Sequence, residues 1–131
     1  MKDNTILVIE DDEINRSLIR SVLELGKCEV WEAENAEAGI QLAREHHPNL
    51  IIMDIRLPEM DGLEATRLIK DDSDLKDIPI VAITGYNNKE DEDLAINTGC
   101  VAYLRKPIDV RNFRRTIAMI LSAYCPGYFK H

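Results

Sequence analysis

The chain has 131 residues, 45% of them hydrophobic and 31% charged, which predicts one domain with a real core and leaves no room for two. Its net charge of −8 repels phosphate backbones and argues against nucleic acid as the primary partner, and no apolar segment approaches the ~20 residues that cross a bilayer. Cys28, Cys100 and Cys125 are widely spaced with no CxxC pair, so reduced thiols are expected rather than a disulfide framework or a zinc site.

Met1 to Thr5 runs into an apolar strand without the separate apolar region and cleavage site of a signal peptide, so a cytoplasmic location is expected. That strand, Thr5 to Ile9, ends in acid: Glu10, Asp11, Asp12 and Glu13. A helix follows, with Ile14, Leu18, Val22 and Leu25 as its apolar face, Asp12 as its N-cap and Gly26 as its stop. Glu29 to Ala33 alternates as a strand, and Trp31 on it is expected to pack against a flanking helix. Asn35 caps a second helix, Ala36 to about His46, which Pro48 ends.

Leu50-Ile51-Ile52-Met53 is a short continuous apolar run between turn signals, the pattern of a strand buried on both faces, and it stops at Asp54. Taken alone, Asp54 either caps the following loop or serves a ligand. Gly62 to Lys70 reads as a helix through Leu63, Thr66, Leu68 and Ile69. Pro79 introduces a fourth strand, Ile80 to Thr84. Asn87 to Asn97 is a weaker helix anchored by Leu94, Ala95 and Ile96. Val101 to Leu104 is a fifth strand, followed by Lys106-Pro107. Asp109 then caps a last helix whose apolar face is Phe113, Ile117, Ile120, Leu121 and Tyr124. The methionines are expected to fill core gaps.

Strict β-α alternation implies a parallel sheet covered on both faces. For five strands the expected fold is α/β, a flavodoxin-like doubly wound sheet of order 2-1-3-4-5 with five helices. The expected domain fills residues 1–131, with its core at about 5–123 and a short tail from Cys125 to His131. In that order Glu10, Asp11, Asp54, Thr84 and Lys106 meet on one rim, at the carboxyl ends of strands. Gathered carboxylates repel one another unless a cation joins them or some stay protonated. A hard divalent ion, Mg²⁺ or Mn²⁺, suits such oxygens, and a metal beside a carboxylate, a hydroxyl and an ammonium describes a phosphoryl-binding site.

Glu10-Asp11, Met53-Asp54 with Pro58 and Asp61-Gly62, Thr84-Gly85 and Lys106-Pro107 occur in an order that resembles the receiver domain of bacterial two-component response regulators, from about Thr5 to Ala123. The resemblance implies that Asp54 accepts the phosphoryl group and that Asp11 binds the metal directly, with Asp54 and the backbone carbonyl of Arg56 as further ligands and Glu10 acting through water. It implies that Thr84 and Lys106 contact the phosphoryl group, that Lys106-Pro107 is a cis peptide, and that Tyr103 moves inward as Thr84 shifts, the pair forming a switch. Arg56 and Tyr86 match positions that tune phosphoryl lifetime in the family. Glu10 departs mildly from the pattern, since many members carry Asp there.

The partners so implied are a histidine kinase or histidine phosphotransfer protein, and a downstream protein bound through the fourth helix, fifth strand and fifth helix. Glu90-Asp91-Glu92-Asp93 on the fourth helix reads as a solvated charged face. Set against Arg105, Arg111, Arg114 and Arg115, it is also self-complementary across a two-fold axis, which predicts a weak homodimer strengthened by phosphorylation. The alternatives differ in class. A haloacid-dehalogenase-like phosphatase wants a second Asp two residues past the nucleophile, where Arg56 stands. A binding scaffold would not need all five site positions filled, and a receiver excised from a hybrid kinase is disfavoured by the start at Met1.

Overall fold

The structure is a computed structural model that describes residues 4–85 and 88–124. Its elements alternate without exception: β1 (Asn4–Ile9), α1 (Glu13–Leu25), β2 (Cys28–Ala33), α2 (Ala36–His46), β3 (Leu50–Asp54), α3 (Gly62–Asp71), β4 (Ile80–Thr84), α4 (Lys89–Thr98), β5 (Ala102–Arg105) and α5 (Val110–Tyr124). The strands form one parallel sheet in the expected order β2-β1-β3-β4-β5, with Leu7 opposite Ile51, Met53 opposite Ala82, and Ile83 opposite Leu104. Successive strand residues point to opposite faces, so β1 divides its side chains between two cores. Leu7 and Ile9 join Ile51, Met53, Ile40, Ala65 and Ile69 on the face covered by α2, α3 and α4. Ile6 and Val8 join Ile52, Ile83, Ile19, Phe113, Ile117 and Leu121 beneath α1 and α5. Every residue of β3 and β4 is buried, which is why these strands read as unbroken apolar runs.

Helix starts follow the sequence closely. Asp12, Asn35, Asp61 and Asn88 each accept a hydrogen bond from an amide three residues on, and Asp109 accepts from Arg111 and Asn112. Helix faces follow it less well. On α1 the buried residues are Ile19, Val22 and Leu23, while Ile14 is 78% and Leu25 77% exposed. Two apolar stripes share Val22, and the tighter i, i+3, i+4 cluster lies against the sheet. Leu68, Leu94, Ile96, Met119 and Tyr124 likewise face solvent. Trp31 on edge strand β2 stacks on His46 of α2, with ring centroids 3.8 Å apart and planes 18° from parallel. Cys28 and Cys100 are both buried, and Cys125 lies outside the described residues.

Gly62 opens α3, and its value is in proximity. A Cβ there would lie 2.2 Å from the Asp54 carbonyl oxygen and 2.8 Å from the Ile55 Cα, while its amide donates to the Ile55 carbonyl at 2.9 Å. The absence of a side chain lets the third helix close directly on the backbone that carries Asp54.

Candidate functional site

The carboxyl ends of β1, β3, β4 and β5 converge on one rim, where parallel sheets leave space between their loops. Glu10 is completely buried, Asp54 nearly so, and Asp11 exposed; one carboxylate oxygen from each lies within 4.8 Å of the others. Glu10 is held from behind, since its carbonyl accepts from Arg16 Nη1 at 2.9 Å and its amide donates to the Ala33 carbonyl at 3.1 Å. Arg16 is itself tied to Glu32 and Glu34, so α1 and β2 together brace this acid. In the sequence Arg16 carries one signal of this role, its place one turn beyond the cap Asp12.

Lys106 enters from the loop after β5, immediately before the cis Lys106-Pro107 peptide bond. Its Nζ donates to Asp54 Oδ2 at 2.9 Å and lies 3.3 Å from Glu10 Oε1, an ion pair without hydrogen-bond geometry. Glu10 Oε1 therefore remains a buried acceptor lacking a hydrogen-bond donor. Burial, then the neighbouring Asp54 carboxyl group, pushes the Glu10 carboxyl up to about 7. Desolvation opposes the charge on Lys106, but the hydrogen bond and the field of Asp54 outweigh it and raise the ammonium pKa above the ordinary lysine value. Thr84 is buried at the end of β4, its hydroxyl donating to the Leu104 carbonyl at 3.5 Å, long enough to yield readily to a better acceptor.

An orphaned buried carboxylate oxygen beside two further acids fits a divalent cation: Lys106 offers one positive charge against three carboxyl groups, and oxygen donors suit a hard ion. Asp12 stays out of this cluster as the cap of α1, its side chain accepting from Asn15 N at 2.9 Å. Arg56 follows Asp54 closely, its amide donating to Asp54 Oδ1 at 3.0 Å. Tyr103 on β5 is 38% exposed, with the Arg105 guanidinium 5.9 Å from its ring centroid. Tyr86 lies outside the described residues.

The acidic face of α4 requires a correction. Asp91 and Glu92 are not solvated but buried, each gripped by an arginine of the same chain. Arg56 donates to both oxygens of Asp91 at 2.9 Å, and Arg105 Nε and Nη2 bond Glu92. The hydrogen bond from Arg105 holds the Glu92 carboxyl below its usual range. Arginines from the β3-α3 loop and from β5 thus engage two of the four acids on which a charge-paired two-fold interface was predicted. A cleft of about 590 Å³ between α1 and α5, lined by Leu23, Phe113, Ile117, Arg111 and Arg114 among others, shares no residue with the acidic cluster.

A doubly wound sheet that brings an ammonium and three carboxylates to one rim has known counterparts. Residues 6–118 match the model of the response regulator receiver domain, and the chain belongs to that family. The polar-differentiation response regulator DivK of Brucella ovis is 43% identical over 117 residues, which cover 89% of this chain and 95% of that one. A response regulator receiver domain protein from Clostridium thermocellum superposes with a TM-score of 0.84 at 25% identity, covering 92% of this chain and 96% of its own. The receiver domain of a sensor histidine kinase from Pseudomonas aeruginosa superposes at 0.83 with 27% identity, over 91% and 98% of the two chains; it was solved with a magnesium ion coordinated in its active-site cleft. The chain is a receiver domain of two-component signalling. No helix among its described residues is long and apolar enough to cross a membrane.

Proposed function

We propose that Asp54 receives a phosphoryl group from the phosphohistidine of a histidine kinase or histidine phosphotransfer protein. The observation that carries this reading is the contact of Lys106 Nζ with Asp54 Oδ2 at 2.9 Å, beside the acids Glu10 and Asp11. An Asp54 carboxylate oxygen attacks phosphorus in line. The new O–P bond forms as the N–P bond of the phosphoimidazole breaks, its electron pair returns to the imidazole nitrogen, and that nitrogen later takes a proton. Lys106 neutralises one equatorial oxygen, and Thr84 exchanges its long bond to Leu104 for a phosphoryl oxygen. Asp11, Asp54, the Arg56 carbonyl and, through water, Glu10 would hold a Mg²⁺ or Mn²⁺ ion, which would supply positive charge against the phosphoryl oxygens.

The chain catalyses only its own phosphorylation and dephosphorylation, and its output is a change of shape. As Thr84 is drawn toward the phosphoryl group, the exposed Tyr103 turns into the space it leaves, altering the surface of α4, β5 and α5 that a downstream protein reads. Arg56 and Tyr86 limit the approach of water and so lengthen the lifetime of the acyl phosphate. The donor must cover the rim, and Ile14 and Leu18, exposed on α1 just past Asp12, offer it an apolar footing. The location that goes with this reading is the cytoplasm. A homodimer through the α4, β5 and α5 surface would rest on Glu90, Asp93, Arg111, Arg114 and Arg115 rather than on the buried acids.

The test is acetyl phosphate or a phosphorylated kinase, with and without Mg²⁺, read by intact mass. One phosphoryl group is expected on the wild-type chain with Mg²⁺, and none on Asp54→Asn. Equal labelling of Asp54→Asn, or no labelling of wild type by either donor, would remove Asp54 from this role.

A further inference from the structure

Asp91 lies in the first turn of α4 and is 2% exposed, so its carboxylate must find donors within the protein. It finds them in two places. Arg56 Nε and Nη2 reach its two oxygens at 2.9 Å each, a fork on a fork, and Asn88 Nδ2 donates to Oδ2 at 2.9 Å. Asn88 also accepts the Asp91 amide at 3.2 Å as the N-cap of α4, so the helix start and the carboxylate share one network. At its other end Arg56 donates its backbone amide to Asp54 Oδ1 at 3.0 Å. One residue therefore holds Asp54 with its main chain and α4 with its side chain. That side chain is 71% exposed, so Asp91, rather than surrounding packing, fixes where the guanidinium sits.

We propose that Asp91 is a positioning residue: it parks the Arg56 guanidinium in the resting state and releases it to the phosphoryl oxygens when Asp54 is phosphorylated, which frees the first turn of α4. The proposal rests on Asp54 as phosphoryl acceptor. A phosphoryl group adds close to two negative charges and three strong acceptors beside a residue already bonded to Asp54. A guanidinium fork matches phosphate oxygens as well as it matches a carboxylate. Once Arg56 turns, Asp91 is a buried charge without its main partner, and it regains solvation by carrying the first turn of α4 outward. Arg105 still grips Glu92 at the end of that turn, so the outward movement is confined to the residues before Glu92 and hinges on that pair.

Amide hydrogen exchange across α4, with and without beryllofluoride and Mg²⁺, tests this on the full chain. In the wild type, exchange in the first turn of α4 is expected to rise about tenfold on addition of beryllofluoride. Asp91→Asn and Arg56→Gln should each show raised exchange before any addition and a response below about twofold. The second substitution is at an exposed position, so it guards against a misfolded first variant, and Asp91→Glu should recover part of the response. Either loss-of-pair variant responding as fully as wild type overturns the proposal, as does a wild-type α4 that ignores beryllofluoride. Mass labelling of the same samples by acetyl phosphate separates the two ideas. A wild-type chain that takes a phosphoryl group while α4 stays unchanged sinks only the role of Asp91; one that takes none sinks the acceptor reading as well.

Discussion

Replacing Glu10 by Gln probes the buried acid directly. Its carboxyl titrates at about 7 in the folded protein against 4.5 for the ordinary group, so the folded state holds the proton more tightly than the unfolded chain does. A raised carboxyl pKa gives stability that is fully present below pH 4.5 and is lost as pH rises through 7. The whole shift corresponds to roughly 3 kcal/mol, of which about 2 kcal/mol is lost between pH 5.5 and pH 8. Glutamine has no proton to lose. In metal-free buffer the stability of Glu10→Gln relative to wild type should therefore improve by about 2 kcal/mol across that interval. Urea unfolding of both proteins at pH 5.5, 6.5 and 8 in EDTA measures it, since the other carboxylates are common to both chains. Saturating Mg²⁺ at pH 8 should return much of the lost stability to wild type and less to the variant. A difference between the proteins that stays constant from pH 5.5 to 8 would refute the assignment of a near-neutral acid to this position.

Other perturbations test other parts of the frame. Gly62→Ala should cost about 1–3 kcal/mol in urea unfolding, because its Cβ meets backbone rather than a movable side chain; a neutral result would mean that α3 can shift without strain. Phe113→Ala should lose about 3–5 kcal/mol, since the ring is buried between α5 and the sheet, and a loss under 1 kcal/mol would show that the layer is loosely packed. His46→Ala should change the emission of Trp31, the sole tryptophan, and lower stability by about 1 kcal/mol; an unaltered spectrum would count against the stacked pair.

The sheet and the rim were legible in the sequence because both depend on local signals. Leu50 to Met53 is apolar on both faces and ends in an acid, and no other reading of such a short run fits between two turn signals. The caps Asp12, Asn35 and Asp109 were equally plain, since a short polar side chain just before an apolar period has a local task. The phase of α1 was not, because Ile14, Leu18, Val22 and Leu25 form as regular a stripe as the buried one, and only the sheet decides between them. The run Glu90 to Asp93 misled for a related reason. Composition predicts water around four acids, whereas Arg56 and Arg105, distant in sequence, bury two of them. Gly62 reads as the first residue of a helix, and its close approach to the Asp54 carbonyl is a fact of packing that no local pattern carries.

The bond between Lys106 and Asp54 spans 52 residues, and the acid it also faces, Glu10, comes at the end of the first strand. During synthesis the carboxylates leave the ribosome long before the ammonium that joins them, and at ~5–20 residues per second that interval lasts seconds. A nascent chain in that interval has its aspartate but not the cation beside it, nor β5 to hold the end of β4 in register. Under the proposed role of Asp54, such a chain would be a poor phosphoryl acceptor. On that reading, placing Lys106 late in the chain would act as a timing device that keeps unfinished molecules out of the phosphorylated pool.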